Sequence, residues 1–160
     1  MFKGLVRDKY KLSEECAYAI LERTEYGVLS TLSNNGYCYG VPVNHVVHKN
    51  NIYFHCAMND GLKIENVQSH NKVSYTVVDN VQLLPSKMDT RYESVIVFGK
   101  ASIVEEVEEK KLALNLLVKR FSPELWKEKM PCVENGPART NIVRINIEHI
   151  VGKSSYLEDN

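Results

Sequence analysis

The chain has 160 residues, of which 44% are hydrophobic and 25% are charged, a composition typical of one soluble globular domain with its own core. Lys plus Arg and Asp plus Glu each number 20, so the formal net charge is zero. This balance argues against a nucleic-acid-binding protein held by bulk electrostatics, and it does little to discourage self-association.

No apolar run approaches the ~18 residues that a membrane helix needs, so no membrane association is predicted. The first residues, MFKGLVRDKYKLSEE, lack a long apolar segment followed by a small-residue cleavage site, which predicts a cytoplasmic protein. The four cysteines are Cys16, Cys38, Cys56 and Cys132. They form no C-x-x-C pair, and in a reducing compartment they are expected to be free thiols.

The first half of the chain is predicted to contain one helix followed by a three-stranded meander. Ser13 can cap a helix that runs to about Arg23, with acidic residues in its first turn that suit the helix dipole. YGVLSTL is typical of a strand, SNNG of a tight turn, YCYGVPVNHVVH of a returning strand and IYFHCA of a third strand. Pro42 lies within the returning strand, and because proline cannot donate to a ladder it predicts an edge or a bulge.

The second half is predicted to combine strands with inserted helices. In chain order we expect a short helix over 61–69, a strand over 73–78, a loop over 79–91, a central strand over 94–104, a helix over 105–120, a helical turn from 122, a loop over 132–140 and a strand over 141–150. The count is about six strands, joined mostly by hairpin-type links. This predicts a mainly antiparallel β-barrel with inserted helices, as a single domain over 1–160.

The segment from Ile52 to Lys63, IYFHCAMNDGLK, begins as a strand and ends in a polar turn with a lysine behind it. One interpretation is a phosphate site, with backbone N–H groups at a helix start and the Lys63 ammonium as donors. The other is a capped surface helix with a solvated lysine. Spacing alone favours the capped helix, because the carboxylate of Asp60 would repel an anion unless it points away.

His55 and Cys56 are neighbours on the predicted third strand, so their side chains are expected on opposite faces. His55 is the candidate catalytic residue, as a general acid or as a hydrogen-bond donor to a ligand. Its alternative is a histidine satisfied in the core or at an interface. Cys56 is a nucleophile only if its pKa is lowered, which nothing in the sequence indicates, so a small buried thiol is the simpler interpretation.

No metal site is predicted. His45 and His48 are spaced HVVH, but on a strand residues three apart face opposite sides, and the cysteines lack finger-like spacing. The chain contains no G-x-S-x-G, Walker or G-x-G-x-x-G motif. Its strand aromatics are not interleaved with Lys or Arg, which weakens a nucleic-acid-binding surface.

Several motifs, taken in order, resemble the FMN-binding split-barrel superfamily, whose best-known member is pyridoxamine 5′-phosphate oxidase. They are VPVN at 41–44, YFHCA at 53–57, G-x-K at 61–63, YESVIVFGKA at 92–101 and VGKS at 151–154. Within the superfamily the chain is most similar to the nitroimidazole-resistance (Nim) family. The resemblance extends from about Val6 to Lys153, and the order and spacing of the motifs together carry it.

The resemblance implies a six-stranded antiparallel split β-barrel that forms a homodimer with FMN at the interface. It assigns Lys63 to the flavin phosphate, and His55 and Cys56 to the wall beside the flavin. Backbone groups of the second strand and its neighbour are expected around the flavin, with a further contact from the VIVFG strand, in the same subunit or in its partner. The implied cofactor-binding residues are Ser30, Thr31, Pro42, Val43, Asn44, His55, Cys56, Lys63, Ser94 and Val95.

The chain departs from the pyridoxamine phosphate oxidases at two points. The region 39–41 lacks their phosphate-holding Arg, and their C-terminal Arg and His substrate motif is not evident, so vitamin B6 oxidation is not expected. The leading hypothesis is an FMN-dependent oxidoreductase of the Nim type, with NAD(P)H as electron donor and a nitroaromatic or quinone-like acceptor. The alternatives are a flavin-binding carrier, sensor or scavenger, a haem-binding barrel with His55 or His45 as axial ligand, and an interaction barrel without a cofactor.

Overall fold

The computed structural model describes residues 8–58, 61–135, 137 and 140–156, without the side chains of 129–132. The helices of this described part are α1 (Glu14–Arg23), α2 (Leu62–Ser69), α3 (Val107–Phe121) and α4 (Trp126–Asn135). Its strands are β1 (Tyr26–Leu32), β2 (Cys38–Asn44), β3 (Val46–His48), β4 (Asn51–Ala57), β5 (Lys72–Leu84), β6 (Asp89–Ile103) and β7 (Thr140–Ser154).

The seven described strands form one antiparallel sheet in the order β2-β1-β5-β6-β7-β4-β3. The two outer strands of this order, β2 and β3, are separated along the chain by His45 alone. The sheet therefore curls until its two edges approach each other. The result is a half-open antiparallel barrel with a few helices, and the predicted split-barrel fold is confirmed.

The predicted count of six strands is wrong by one, because the returning strand divides at His45. The His45 ring is 1% exposed, and its Nε2 lies 2.8 Å from the carbonyl oxygen of Leu21 on α1. Turning this side chain inwards takes the backbone out of the ladder with β1, so Val46–His48 pairs with β4 instead. The predicted edge position of Pro42 is confirmed, since the only described strand that pairs with β2 is β1.

The loop predicted over 79–91 is also wrong, because β5 and β6 continue through this segment as a hairpin. Their pairing extends to Leu84 and Asp89. Val81 and Leu83 on this hairpin are 60% and 71% exposed. A hairpin with both faces in solvent needs no alternation of apolar and polar residues, so its polar, turn-rich sequence hides the strand pattern.

The loop predicted over 132–140 begins later than expected, because α4 continues to Asn135. Val133, which is 3% exposed, belongs to the last turn of α4 and anchors it in the protein. Burial of such a side chain stabilises a helix end that its sequence alone does not favour.

Two hydrophobic clusters hold these elements in place. The larger fills the barrel, where Leu29, Phe54 and Tyr75 meet, and Ile20 of α1 packs onto it. The smaller packs α3, through residues such as Leu117, against the outer face of β3, β4 and β7. Each fully buried side chain of this size contributes roughly 1.5–3 kcal/mol. Helix α3 therefore covers one part of the outer face of β4 and leaves the rest open.

Candidate functional site

An open slot lies between β2 and β4, where the barrel is split. Among the described strands β2 pairs only with β1, and β4 pairs with β3 only over Asn51–Tyr53, so the stretch 54–57 has one free edge. Cα atoms of β2 and β4 come within 8 Å of each other, although these strands are not neighbours in the hydrogen-bonded sheet. The backbone groups along both free edges are donors and acceptors that a polar ligand can use.

Helix α2 begins five positions after the end of β4 and packs against β1 and β6. Its N-cap, Gly61, provides no side-chain hydrogen bond to the first turn, and a Cβ built on Gly61 meets nothing within 4 Å. Lys63 lies in that first turn, half-buried, and no described residue provides a carboxylate partner to it. First-turn N–H groups and an ammonium are suitable donors for a phosphate, so the residues present fit one. Asn59 and Asp60, also part of the predicted phosphate loop, lie outside the described residues.

The positive charge of Lys63 affects the pKa of Cys56, near the end of β4. Burial raises the pKa of the Cys56 thiol, and the positive charge of Lys63 partly opposes that rise. Cys56 is 8% exposed and packs in the barrel cluster, so its side chain faces the interior. A raised pKa keeps the thiol protonated at neutral pH, which agrees with a small buried thiol and not with a nucleophile.

His55 is exposed on the opposite face of β4. It lines a cleft of about 330 Å³ together with Asn44 of β2, so the slot brings these two predicted residues together. The Nδ2 of Asn44 donates to the carbonyl oxygen of Glu25 at 3.0 Å, which fixes the end of β2. The remaining lining residues come from α3 and its C-cap: Leu114, Leu117, Val118, Phe121 and Ser122. An apolar wall facing a histidine and an amide suits a flat organic ligand.

Ser30 and Thr31 lie on β1 and line a second groove, of about 310 Å³. Thr31 is 3% exposed, and its hydroxyl accepts a hydrogen bond from Nδ2 of Asn66 at 2.9 Å. Asn66, on α2, is fully buried, donates also to the hydroxyl of Ser33, and has no described partner for its Oδ1. The hydrogen bond between Asn66 and Thr31 therefore anchors α2, the helix that carries Lys63, to β1.

The other predicted residues are divided between the sheet edge, the core and the first half of β6. Pro42 is exposed on the edge strand β2, whereas Val43 is partly buried and packs on the barrel cluster. Val95 is 0% exposed in that cluster, so its side chain cannot contact a ligand at the surface. Ser94 is partly exposed and lies in the first half of β6. Both residues lie on β6, which is not adjacent in the sheet to either strand of the slot.

Both ring nitrogens of His45, an alternative axial ligand for haem, are engaged. Nε2 contacts the carbonyl oxygen of Leu21, and Nδ1 lies 3.0 Å from the hydroxyl of Tyr75. Because a carbonyl only accepts, Nε2 carries the proton and Nδ1 is left as an acceptor. The single proton of the Tyr75 hydroxyl is shared between Nδ1 and the carbonyl oxygen of Val43, which is also 3.0 Å away. Burial lowers the pKa of His45 to about 4; the bond to Leu21 opposes this and the charge of Arg120 adds to it. Of the two histidines considered for haem, His55 alone faces a cleft.

The sequence of the chain matches the model of a known protein family. Residues 13–154 match the family model described as pyridoxamine 5′-phosphate oxidase, a span that includes every strand and helix named above. The chain belongs to the pyridoxamine 5′-phosphate oxidase family. The resemblance identified from the sequence motifs is therefore confirmed, and the family is one of flavin-binding split barrels.

Solved structures share the fold of this pyridoxamine 5′-phosphate oxidase family member. A proposed 5-nitroimidazole antibiotic resistance protein from Bacteroides thetaiotaomicron is 22% identical, with a TM-score of 0.75 over 89% of this chain and 85% of that one. An FAD-binding protein from Mesorhizobium loti is 23% identical, with a TM-score of 0.68 over 95% and 99%. An FAD and haem binding protein from Mycobacterium smegmatis is 18% identical, with a TM-score of 0.77 over 92% and 74%. A comparison with curated proteins gives no match.

In this pyridoxamine 5′-phosphate oxidase family member, sequence reasoning missed two parts of the site. The apolar spacing of α3 indicates a face that packs on the sheet, but it does not show that Val118 and Phe121 border a cleft beside His55. Asn66 belongs to no motif, and its role depends on Thr31, which is 35 positions away along the chain. A polar residue on the buried face of a predicted helix was the one available signal for Asn66.

Proposed function

We propose that this protein is an FMN-binding oxidoreductase related to the Nim proteins, with the flavin held in the slot between β2 and β4. The observation that carries the proposal is the setting of Lys63. Its half-buried ammonium lacks a carboxylate partner among the described residues and lies in the first turn of a helix with no side-chain cap. Membership of a flavin-binding family adds independent support.

The residues of the chain would divide the binding of the flavin among them. The first turn of α2 and Lys63 would hold the phosphate, and the free edges of β2 and β4 would offer backbone hydrogen bonds to the rest of the molecule. The hydrogen bond between Asn66 and Thr31 would keep α2 in place. When bound, the flavin supplies hydride and electron transfer.

The cleft beside α3 supports the substrate side of the proposal. Its wall of Leu114, Val118 and Phe121 is apolar, and His55 faces it as the polar group able to donate a hydrogen bond or a proton. NAD(P)H is the proposed electron donor. A nitroaromatic or quinone-like compound is the proposed acceptor, since it combines a flat apolar body with oxygen atoms that accept hydrogen bonds.

We also propose a homodimer with FMN at the interface. Ser94 and Val95 lie on β6, which is not adjacent in the sheet to either strand of the slot, and a second subunit would bring another copy of these residues to the flavin. A cytoplasmic location is proposed as well. It suits the free thiols of Cys16, Cys38 and Cys56.

A haem-binding barrel is a second candidate, and the exposure of His55 in an apolar-walled cleft is the observation that favours it. A flavin-binding carrier, sensor or scavenger would use the same slot as the oxidoreductase. Such a protein would differ from the oxidoreductase only in binding the flavin without catalysing a reaction. An interaction barrel without a cofactor would leave Lys63 simply solvated.

The first experiment is the visible absorption spectrum of the purified protein, followed by release and identification of any chromophore. We expect a flavin spectrum and released FMN, and then oxidation of NADH or NADPH with a nitroaromatic or quinone acceptor. A Soret band would identify the haem alternative. Bound FMN without turnover would select the carrier, and a colourless protein that ignores added FMN would refute the proposal.

The phosphate assignment has its own test in Lys63→Ala, with Lys127→Ala, an exposed lysine on α4, as the matched control. A hydrogen bond to a charged group contributes roughly 1.5–3 kcal/mol, so Lys63→Ala should weaken FMN binding by about 10- to 100-fold. Riboflavin lacks the phosphate, so its affinity should be the same in all three proteins. An equal loss for FMN and riboflavin would contradict the assignment.

A further inference from the structure

A row of three polar residues crosses the outer face of the sheet beneath the start of α3. Arg144 of β7 lies directly opposite Tyr53 of β4 on one side and opposite Ser102 of β6 on the other. Residues directly opposite each other in antiparallel pairs point to the same face, and α3 packs on that face. Three neighbouring strands therefore present one polar row to the first turn of the helix.

Glu109, in the first turn of α3, binds this row. Its Oε1 accepts a hydrogen bond from the hydroxyl of Tyr53 at 2.8 Å, and Nη1 of Arg144 donates to its two oxygens at 3.0 and 3.2 Å. Nη2 of Arg144 donates to the hydroxyl of Ser102 at 3.4 Å. Among the described residues, Glu109 makes all the side-chain hydrogen bonds that join α3 to the strands. We call Tyr53, Glu109 and Arg144 the α3 clamp.

The α3 clamp is largely shielded from water. Tyr53 is 4% exposed, and burial, together with the hydrogen bond to Glu109, raises the pKa of Tyr53 to about 12. The phenol is therefore protonated at neutral pH and donates to the carboxylate. The side chains of Glu109 and Arg144 are 23% and 39% exposed. Charge-assisted hydrogen bonds in such a setting fix both the distance and the direction between their partners.

The rest of α3 is held to the sheet by apolar contacts. Ala113 and Leu117 are buried in the smaller hydrophobic cluster, and in the last turn Nη2 of Arg120 donates to the carbonyl oxygen of Thr24, outside the sheet. Hydrophobic contacts are non-directional, so they hold the helix on the sheet but resist sliding and rotation less than directional polar contacts do. The α3 clamp therefore determines where the helix lies on the sheet.

The position of α3 in turn determines the size of the cleft beside His55. Tyr53 and His55 are two positions apart on β4, so both side chains point to the face on which α3 lies. The helix covers Tyr53 and leaves His55 exposed, and its residues between Leu114 and Phe121 form the apolar wall. The volume of about 330 Å³ is near the lower end for ligand pockets. A small shift of the wall therefore changes which flat molecule fits.

We propose that the α3 clamp sets the size of the ligand that the cleft beside His55 accepts. None of its three members lines the cleft, so they are positioning residues and not catalytic ones. By holding the wall in place, the clamp favours flat acceptors with one ring over those with two. The inference rests on the proposed function for the use of this cleft by an electron acceptor, whereas binding in the cleft can be measured without turnover.

The kinetic test compares nitrobenzene, which has one ring, with nitronaphthalene, which has two. The FMN-loaded protein is assayed with each acceptor at a saturating concentration of NADH or NADPH. Glu109→Ala should raise KM for nitrobenzene and lower KM for nitronaphthalene, so that the ratio of the two changes by about tenfold while kcat is retained. Tyr53→Phe removes one hydrogen bond of the clamp and keeps the buried ring, so it should change the ratio in the same direction by a smaller factor.

Glu108→Ala is the matched control. Glu108 lies in the same turn of α3, and its side chain is 76% exposed and pairs with Lys111 on the same helix. The substitution removes the same charge from the same helix end and leaves the α3 clamp intact. Both KM values should therefore stay as in the wild type.

A binding measurement separates this inference from the proposed function. Each nitroaromatic is titrated into the protein without NADH or NADPH, and the imidazole signals of His55 are followed by NMR. Glu109→Ala should weaken the binding of nitrobenzene and strengthen that of nitronaphthalene. A protein that shows this reversal and yet oxidises neither NADH nor NADPH would refute the proposed oxidoreductase and support the role of the α3 clamp.

Three results would overturn the inference. Equal changes in both KM values, or a loss of kcat alone, would show that Glu109 only stabilises the helix. An equal change of the KM ratio in Glu108→Ala would assign the effect to the charge of the helix end. No change in the His55 signals with either compound would show that the cleft takes no such ligand. If circular dichroism shows that Glu109→Ala is unfolded, Tyr53→Phe decides by the same criteria.

Discussion

Acid should destabilise this protein through His45, the residue that joins the two edge strands β2 and β3. The ring is 1% exposed, and burial lowers its pKa from 6.5 to about 4. At ~1.4 kcal/mol for each pH unit, this difference corresponds to about 3 kcal/mol of unfolding free energy. The neighbouring Arg120 contributes to the cost, because its charge repels a second cation.

The direction of the effect follows from the two protonation states. The folded protein favours the neutral ring of His45, whereas the unfolded chain binds a proton at about pH 6.5. The contribution is therefore fully present above pH 6.5. It is lost progressively as the pH falls towards 4, and no further loss occurs below that pH. When the ring is protonated, the hydroxyl of Tyr75 can donate to the carbonyl oxygen of Val43, 3.0 Å away, and accept from Nδ1. The protonated ring therefore keeps its hydrogen bonds, and the loss of stability comes mainly from the desolvation of its charge.

The assay is urea unfolding at several pH values between about 7.5 and 3.5, since this range brackets both pKa values. His45→Gln removes the titrating ring, and His70→Gln, at an exposed histidine, is the matched control. Carboxylates make all three proteins lose stability in acid. The wild type and His70→Gln should lose about 3 kcal/mol more than His45→Gln between pH 6.5 and 4. An equal loss in all three proteins would refute the reasoning.

Three further predictions concern other sites. Gly99→Ala should lower the unfolding free energy by about 3 kcal/mol, because the new Cβ would lie 2.2 Å from a backbone oxygen of β7. Gly61→Ala is the control, because the space around Gly61 is open, and it should change the unfolding free energy by less than about 1 kcal/mol in the same urea assay. Asn66→Ala should cost about 1–3 kcal/mol, since two buried hydroxyls lose their donor, and a protein as stable as the wild type would contradict the anchoring role. Iodoacetamide should label the exposed Cys38 well before Cys56, whose pKa is raised by burial, and peptide mapping that finds the reverse order would show that the thiol is accessible.

The sequence predicted those strands whose neighbours lie close along the chain or whose residues alternate. β1, most of β2 and β4 follow from local turns, and the final strand follows from the alternation over 141–150. The hairpin over 79–91 was missed because both its faces are in solvent and leave no apolar pattern. The break at His45 was missed because it depends on the carbonyl of Leu21, a partner on a helix that no local pattern identifies.

The candidate site was predicted in part for the same reason. Lys63 follows from a short motif and a family resemblance, and the opposite faces of His55 and Cys56 follow from strand alternation. The wall formed by α3 depends on how a helix packs across the sheet. The bridge between Lys11 and Lys153 joins two residues that are 142 positions apart in the sequence. Long-range pairing of this kind cannot be read from spacing.

The place of β7 in the sheet sets the order in which the chain can fold during synthesis. Of the seven described strands it is the last to be synthesised, and yet it lies between β6 and β4 and pairs with both. Until it emerges, β2-β1-β5-β6 and β3-β4 are separate pieces, each with an unsatisfied edge. Such edges recruit other strands, so a stalled or truncated nascent chain is the form most exposed to aggregation and to capture by chaperones. Once β7 pairs with both β6 and β4, the two pieces with unpaired edges become a single cooperative unit.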